Sequence, residues 1–132
     1  MAKKKTRLGY DQRGGVLAVS RAMRESYVYE SMPATAKVLM DLLHLQWRND
    51  RPVGYGVREA AQKIGCTANT AAKAFKTLCE RGFIVCHAES FFNSKRGSKA
   101  REWRLTWMPF EYRNPTNSWE KWQPENKTTV SK

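Results

Sequence analysis

Apolar residues recur along this chain in two rhythms. From Pro33 to Arg48, the positions Val38, Leu39, Leu42, Leu43, Gln46 and Trp47 return at three- and four-residue steps. That spacing predicts a helix over 33–48. Pro33 suits its first position, where a missing N–H costs nothing. Asn49-Asp50-Arg51-Pro52 ends it, because a residue before proline disfavours the helical region. A shorter helix over 57–64 puts Ala60, Ala61 and Ile64 on one face. Gly65 stops it in a left-handed conformation that needs no Cβ, and Thr67 caps the helix that follows. That third helix, over 68–81, buries Ala71, Ala74, Phe75 and Leu78 at i, i+3, i+4 and i+7. Asn69, Lys73, Lys76 and Glu80 then point the other way, with Thr70 and Thr77 flanking.

The second rhythm has period two. In Glu102–Trp107, Trp103, Leu105 and Trp107 fall on one face and Glu102, Arg104 and Thr106 on the other, as in a half-buried strand. Phe83–Ala88 (FIVCHA) is β-branched and aromatic and reads as its partner. Between the two strands, Glu89–Arg101 forms a loop with Gly97 and four basic residues; Phe91 and Phe92 at its base are read as packing. Val53–Gly56 is expected as a short edge strand and Val16–Val19 as another. A short helix over Arg21–Tyr29 would place Met23, Tyr27 and Val28 on its apolar side. Pro109 and Pro115 break regular structure after the second strand. Trp119 and Trp122 lie one helical turn apart, placed to dock a C-terminal segment on the domain. No internal repeat is present. The expected organisation is a flexible basic arm over 1–15, one domain over 16–112 and a C-terminal extension over 113–132. The fold class is mainly α with a small β-hairpin, α+β.

Charge sharpens this picture. The 132 residues carry 24 Lys+Arg against 12 Asp+Glu, a net charge of +12. Such an excess points to a polyanionic partner, above all nucleic acid. It is also clustered: residues 1–32 hold 7 basic and 3 acidic side chains, and Lys95–Arg104 holds 5 basic residues with Glu102 as its acid. A backbone-gripping surface needs such clusters, because each neutralised phosphate releases condensed counterions. No apolar run approaches the roughly 18–20 residues that span a bilayer, so no membrane partner is expected. The basic start MAKKKTR is followed by no signal-peptide core. Three unpatterned cysteines, Cys66, Cys79 and Cys86, fit a reduced cytoplasm and are read as small buried hydrophobes. Their spacing with His87 lacks the close cysteine pair of a zinc site, so neither metal nor cofactor is expected. The carboxylates are scattered, His44 and His87 have no placed nucleophile, and no phosphate-cradling glycine loop occurs, so no catalytic residue is assigned. His44, within an apolar helix, is read as a packing or capping residue.

The outward face of helix 68–81 carries the candidate chemistry. Asn can pair bidentately with adenine, Lys can donate to guanine, and Thr can meet a thymine methyl. Residues near the N-terminal end of such a helix touch bases and later ones touch backbone. Asn69, Thr70 and Lys73 are therefore assigned to base edges, and Thr67, Lys76 and Thr77 to phosphates. Lys95, Arg96, Lys99 and Arg101 in the hairpin loop join the phosphate set, with Gly97 giving the tip its backbone freedom. Lys3, Lys4, Lys5 and Arg7 form a basic arm able to follow the backbone. An ordinary solvated helix face and a solvated tail are the competing readings; the turn, the hairpin and the net charge together weigh against them.

Residues 57–107 resemble the winged helix-turn-helix superfamily of bacterial regulators. REAAQKIGCTANTAAKAFKTLCERGFI is similar to its helix–turn–helix pattern, with Ala60, Ala61, Gly65, Thr67, Thr70, Ala71, Ala74, Phe75, Leu78, Gly82, Phe83 and Ile84 on the patterned positions. The wider frame, with EWRLTWMP and PTNSWEKW, resembles small helix-turn-helix proteins of phages, prophages and plasmids in alphaproteobacteria over most of residues 16–122. The resemblance implies a winged helix that binds double-stranded DNA sequence-specifically, as a transcriptional regulator of phage or plasmid type acting in the bacterial cytoplasm at the nucleoid. Helix 68–81 would enter the major groove and the wing over 90–101 would lie on the backbone. The pattern departs at Ala68 and Ala72, where regulators of the GntR type commonly carry arginine; the base-reading role then falls to Asn69 and Lys73. No effector domain follows, which argues against small-molecule sensing. Other readings stay open: a replication-initiation accessory protein of a phage or plasmid, a protein-interaction module docking a host or phage partner through Trp119 and Trp122, and RNA binding. A homodimer paired through 16–32 would suit a two-fold DNA site.

Overall fold

The computed structural model describes residues 9–88 and 101–124. In chain order its elements are α1 (Arg21–Arg24), α2 (Tyr27–Glu30), α3 (Ala34–Leu45), β1 (Val53–Gly54), α4 (Val57–Ile64), α5 (Ala68–Glu80), β2 (Ile84–Ala88), β3 (Glu102–Leu105) and a 3-10 helix over Ser118–Lys121. The class is mixed, with five α-helices and one small antiparallel sheet among the described residues.

The expected helix over 21–29 is two single turns. Ser20 caps the first, its hydroxyl accepting from the Met23 N–H at 3.2 Å, and Ser26 caps the second, accepting from the Tyr29 N–H at 3.3 Å. A short hydroxyl competes well for backbone donors, so Ser26 restarts the helix instead of continuing it. Met23 and Val28 enter the core, whereas Tyr27 is 65% exposed and stacks on Trp122 with ring centroids 6.3 Å apart. Val16–Val19 is not a strand: among the described residues no strand pairs with it, and its residues face solvent. Without a neighbour a strand has no ladder to stabilise it.

Pro33 caps α3 from an extended conformation, so the helix begins at Ala34, one residue after the expected start. The helix buries Ala36, Leu39, Met40, Leu43 and His44, leaves Val38 and Gln46 exposed, and ends at Leu45 rather than 48. The chain then reverses, with Arg48 bridged to Arg51, and the Trp47 indole N–H donates to the Pro109 carbonyl at 3.0 Å. His44 packs as expected: its Nδ1 accepts from the Trp107 Nε1 at 3.4 Å.

The strand order is β1-β3-β2, all antiparallel. Val53 pairs with Trp103, and Ile84, Val85 and Cys86 pair with Leu105, Arg104 and Trp103; a bulge follows between Cys86 and Ala88. The sheet is shorter than its period-two pattern, since β3 stops at Leu105. Thr106, expected on the solvent side, is 1% exposed: its hydroxyl donates to the Gly82 and Phe83 carbonyls at 2.7 and 3.1 Å, which satisfies the buried group.

One apolar cluster joins these parts. α3 and α4 pack on α5, α5 packs on β2, and Phe75 stacks on Trp103 at 5.2 Å. Phe83 stacks on Trp119 and meets Trp107 edge-on, both at 6.1 Å. Trp119, 7% exposed, therefore belongs to the core, and Trp122 is half covered, its ring under the Arg81 guanidinium at 4.3 Å. A docking surface made of both tryptophans, as one reading required, is not exposed.

Candidate nucleic-acid interface

Two short helices and a turn build the face that carries the candidate residues. α4 ends at Gly65, whose φ is +87° and whose N–H donates to the Ala61 carbonyl at 2.8 Å; the Cys66 N–H shares that acceptor at 3.0 Å. Such a left-handed cap redirects the chain within three residues. Thr67 then caps α5, its Oγ1 accepting from the Thr70 N–H at 3.2 Å and donating to the Thr70 Oγ1 at 3.1 Å. The Thr67 hydroxyl is thus committed to the helix start. The sequence signals for this turn, a Gly and a Thr two residues apart, are both used by the structure.

Ala71, Ala74, Phe75 and Leu78 anchor α5 to the core. With that side fixed, helical geometry turns Asn69, Lys73, Lys76 and Glu80 to solvent, and all four are exposed. Thr70 and Thr77 are half-buried beside them. Lys76 lies 3.9 Å from Glu80 one turn on, an exposed pair that leaves the lysine available to a stronger anion. Ala68 and Ala72 are exposed on the same helix, and neither is bulky enough to screen the Asn69–Lys73 pair.

Beside α5 runs a cleft of about 400 Å³ between the helix, the start of α4 and the sheet. Lys76 from α5 and Arg101 from the start of β3 line it together. Two residues 25 positions apart, both assigned to phosphates, are therefore brought to one place. Gly56 and Val57 at the N-terminus of α4 also line it, as does Cys79 from α5. Cys79 corrects the expectation of buried cysteines: it is exposed, and Cys66 and Cys86 are half-buried. It sits at the edge of the apolar stripe, one position beyond Leu78, where the helix turns its side chain out. Partial burial nevertheless pushes the Cys79 thiol above its ordinary range, with the Cys86 thiol adding to the rise, Arg101 opposing it and Glu80 favouring it. Burial, with the Glu59 carboxylate, likewise raises the Tyr55 phenol in the cleft wall.

Lys95, Arg96, Gly97 and Lys99, with Phe91 and Phe92, lie outside the described residues, as do Lys3, Lys4, Lys5 and Arg7. Among the described residues no group of three or more His, Cys, Asp and Glu side chains is placed to hold a metal ion. No helix there is long and apolar enough to cross a membrane. The cleft itself was missed by sequence reasoning; its signal was the tight spacing of Tyr55, Gly56 and Val57 against a helix, which means nothing until β3 is placed alongside. A scan of family models, a search of curated proteins and a search of solved structures each found no match to this chain.

Proposed function

We propose that this chain is a winged helix-turn-helix protein that binds double-stranded DNA sequence-specifically, as a transcriptional regulator of phage or plasmid type. α5 enters the major groove, with Asn69, Thr70 and Lys73 on base edges. Lys76, Thr77 and Arg101 take phosphates on one flank, with Thr67 at the helix start, where its backbone rather than its committed hydroxyl faces the strand. The segment joining β2 to β3 is the wing, and its Lys95, Arg96 and Lys99 extend the phosphate contact. The observation that carries this reading is the exposure of Asn69 and Lys73 on a helix whose opposite side is locked in the core, beside a cleft holding two further cations.

Fluorescence anisotropy on a selected duplex tests the assignment. Lys73→Ala lowers affinity for that duplex by about 1–3 kcal/mol and relaxes preference at one base position. Lys76→Ala weakens selected and scrambled duplexes alike and reduces the salt slope by about one. An unchanged affinity in Lys73→Ala removes the base-reading role.

A further inference from the structure

The cleft beside α5 has more shape than a phosphate seat needs. Its volume, about 400 Å³, lies within the roughly 300–1,000 Å³ of small-molecule sites. Its chemistry is graded. Tyr55, Phe75 and Trp103 form an inner wall and are 3%, 6% and 4% exposed. Lys76 and Arg101, both exposed, stand at the rim, and among the described residues no carboxylate is in the lining. Ala72 leaves the helical side open where a larger residue would fill it. The wall is tied together: Phe75 stacks on Trp103, and the Trp103 indole N–H donates to the Tyr55 carbonyl at 3.3 Å.

A ligand that fits must be flat and apolar at one end and anionic at the other. An ammonium point charge and a planar guanidinium fork suit the oxygens of a phosphate, while an aromatic edge and an alanine suit the face of a base. We infer that this cleft binds a single nucleotide, with its phosphate between Lys76 and Arg101 and its base against the Tyr55–Phe75–Trp103 wall. The inference goes beyond duplex reading, with which it shares Lys76 and Arg101. The nucleotide comes either free from solution or as an unpaired residue at the end of a bound strand. The chemistry of recognition is the same in both.

Isothermal titration of the full chain with AMP, adenosine and inorganic phosphate tests the shared chemistry. AMP binds with a dissociation constant tighter than about 1 mM and at least about tenfold tighter than either fragment. Ala72→Trp, on an exposed helical position, fills the cleft and weakens AMP by about tenfold or more, as does Arg101→Ala. Saturating AMP also slows alkylation of Cys79 in the unaltered protein, which reads occupancy without any substitution. A second arm compares a blunt duplex with one carrying a single unpaired 3′ nucleotide. Tight AMP binding with equal affinity for the two duplexes assigns the free nucleotide. Silence toward AMP with about tenfold preference for the overhang, abolished by Ala72→Trp, assigns the strand end. AMP no better than phosphate, with no overhang preference, overturns the inference while leaving duplex binding and its Lys73 dependence untouched. AMP binding in a protein that ignores duplex DNA would instead overturn the proposed function and keep the cleft.

Discussion

Single residues fix the corners of this molecule. Gly65 and Gly82 both hold left-handed angles, +87° and +83°, but in different surroundings. A Cβ on Gly65 meets nothing within 4 Å, whereas on Gly82 it would lie 2.9 Å from the Ser118 carbonyl oxygen. Gly65→Ala therefore costs only the left-handed strain, about 1–2 kcal/mol. Gly82→Ala must also displace backbone, so chemical denaturation will show the larger loss. Equal losses would mean that the 118–119 backbone does not press on Gly82 in solution. His44 gives a pH signature. Burial pushes its imidazole below the ordinary 6.5, with the Asp41 carboxylate opposing and the Arg24 guanidinium assisting. The unfolded chain then binds the proton more readily, so stability is full above about pH 6.5 and declines on acidification toward the depressed folded value. Melting temperature will fall between about pH 7.5 and 5.5, and His44→Gln will flatten that slope. A wild-type slope shared by the variant would assign it elsewhere. Neither effect was legible in the sequence, where His44 was simply one polar residue on an apolar helix. Thr106 misled because period places a side chain on a face, but the neighbouring element decides whether that face is covered; Cys79 misled because the usual burial of cysteine outweighed its place beside the apolar stripe.

Elements with strong local signals were legible. α4, its turn and α5 were bounded within a residue, because the apolar stripe, Gly65 and Thr67 act within one or two helical turns. Thr67→Ala should cost about 1 kcal/mol in thermal unfolding by orphaning the Thr70 N–H. A negligible change would mean water replaces the cap fully. Elements lacking such signals were misjudged. α1 and α2 are single turns held by Ser20 and Ser26, too short for a period to register. Val16–Val19 has strand composition and no pairing strand among the described residues. The pairing of β1 with β3, which sets Tyr55 against α5, joins residues about 50 positions apart and leaves no mark in either segment.

At the scale of the whole molecule, two properties matter. The first is a single apolar cluster running from Met23 to Trp119, which ties the N-terminal turns and the 118–121 helix to the same core as α5. Trp119, beyond the division expected after residue 112, packs on Phe83. The second is the net charge of +12, set against a face that displays Asn69, Lys73 and Lys76. Charge alone binds any polyanion, with affinity falling steeply in salt. An ordered polar face adds contacts that salt does not erase. The most direct measurement is therefore selection of bound duplexes from a random pool at low and at physiological salt. We predict one enriched motif that survives the higher salt and is lost when Asn69 and Lys73 are both replaced by alanine. A pool left unenriched at either salt, or a motif indifferent to that double replacement, would contradict it.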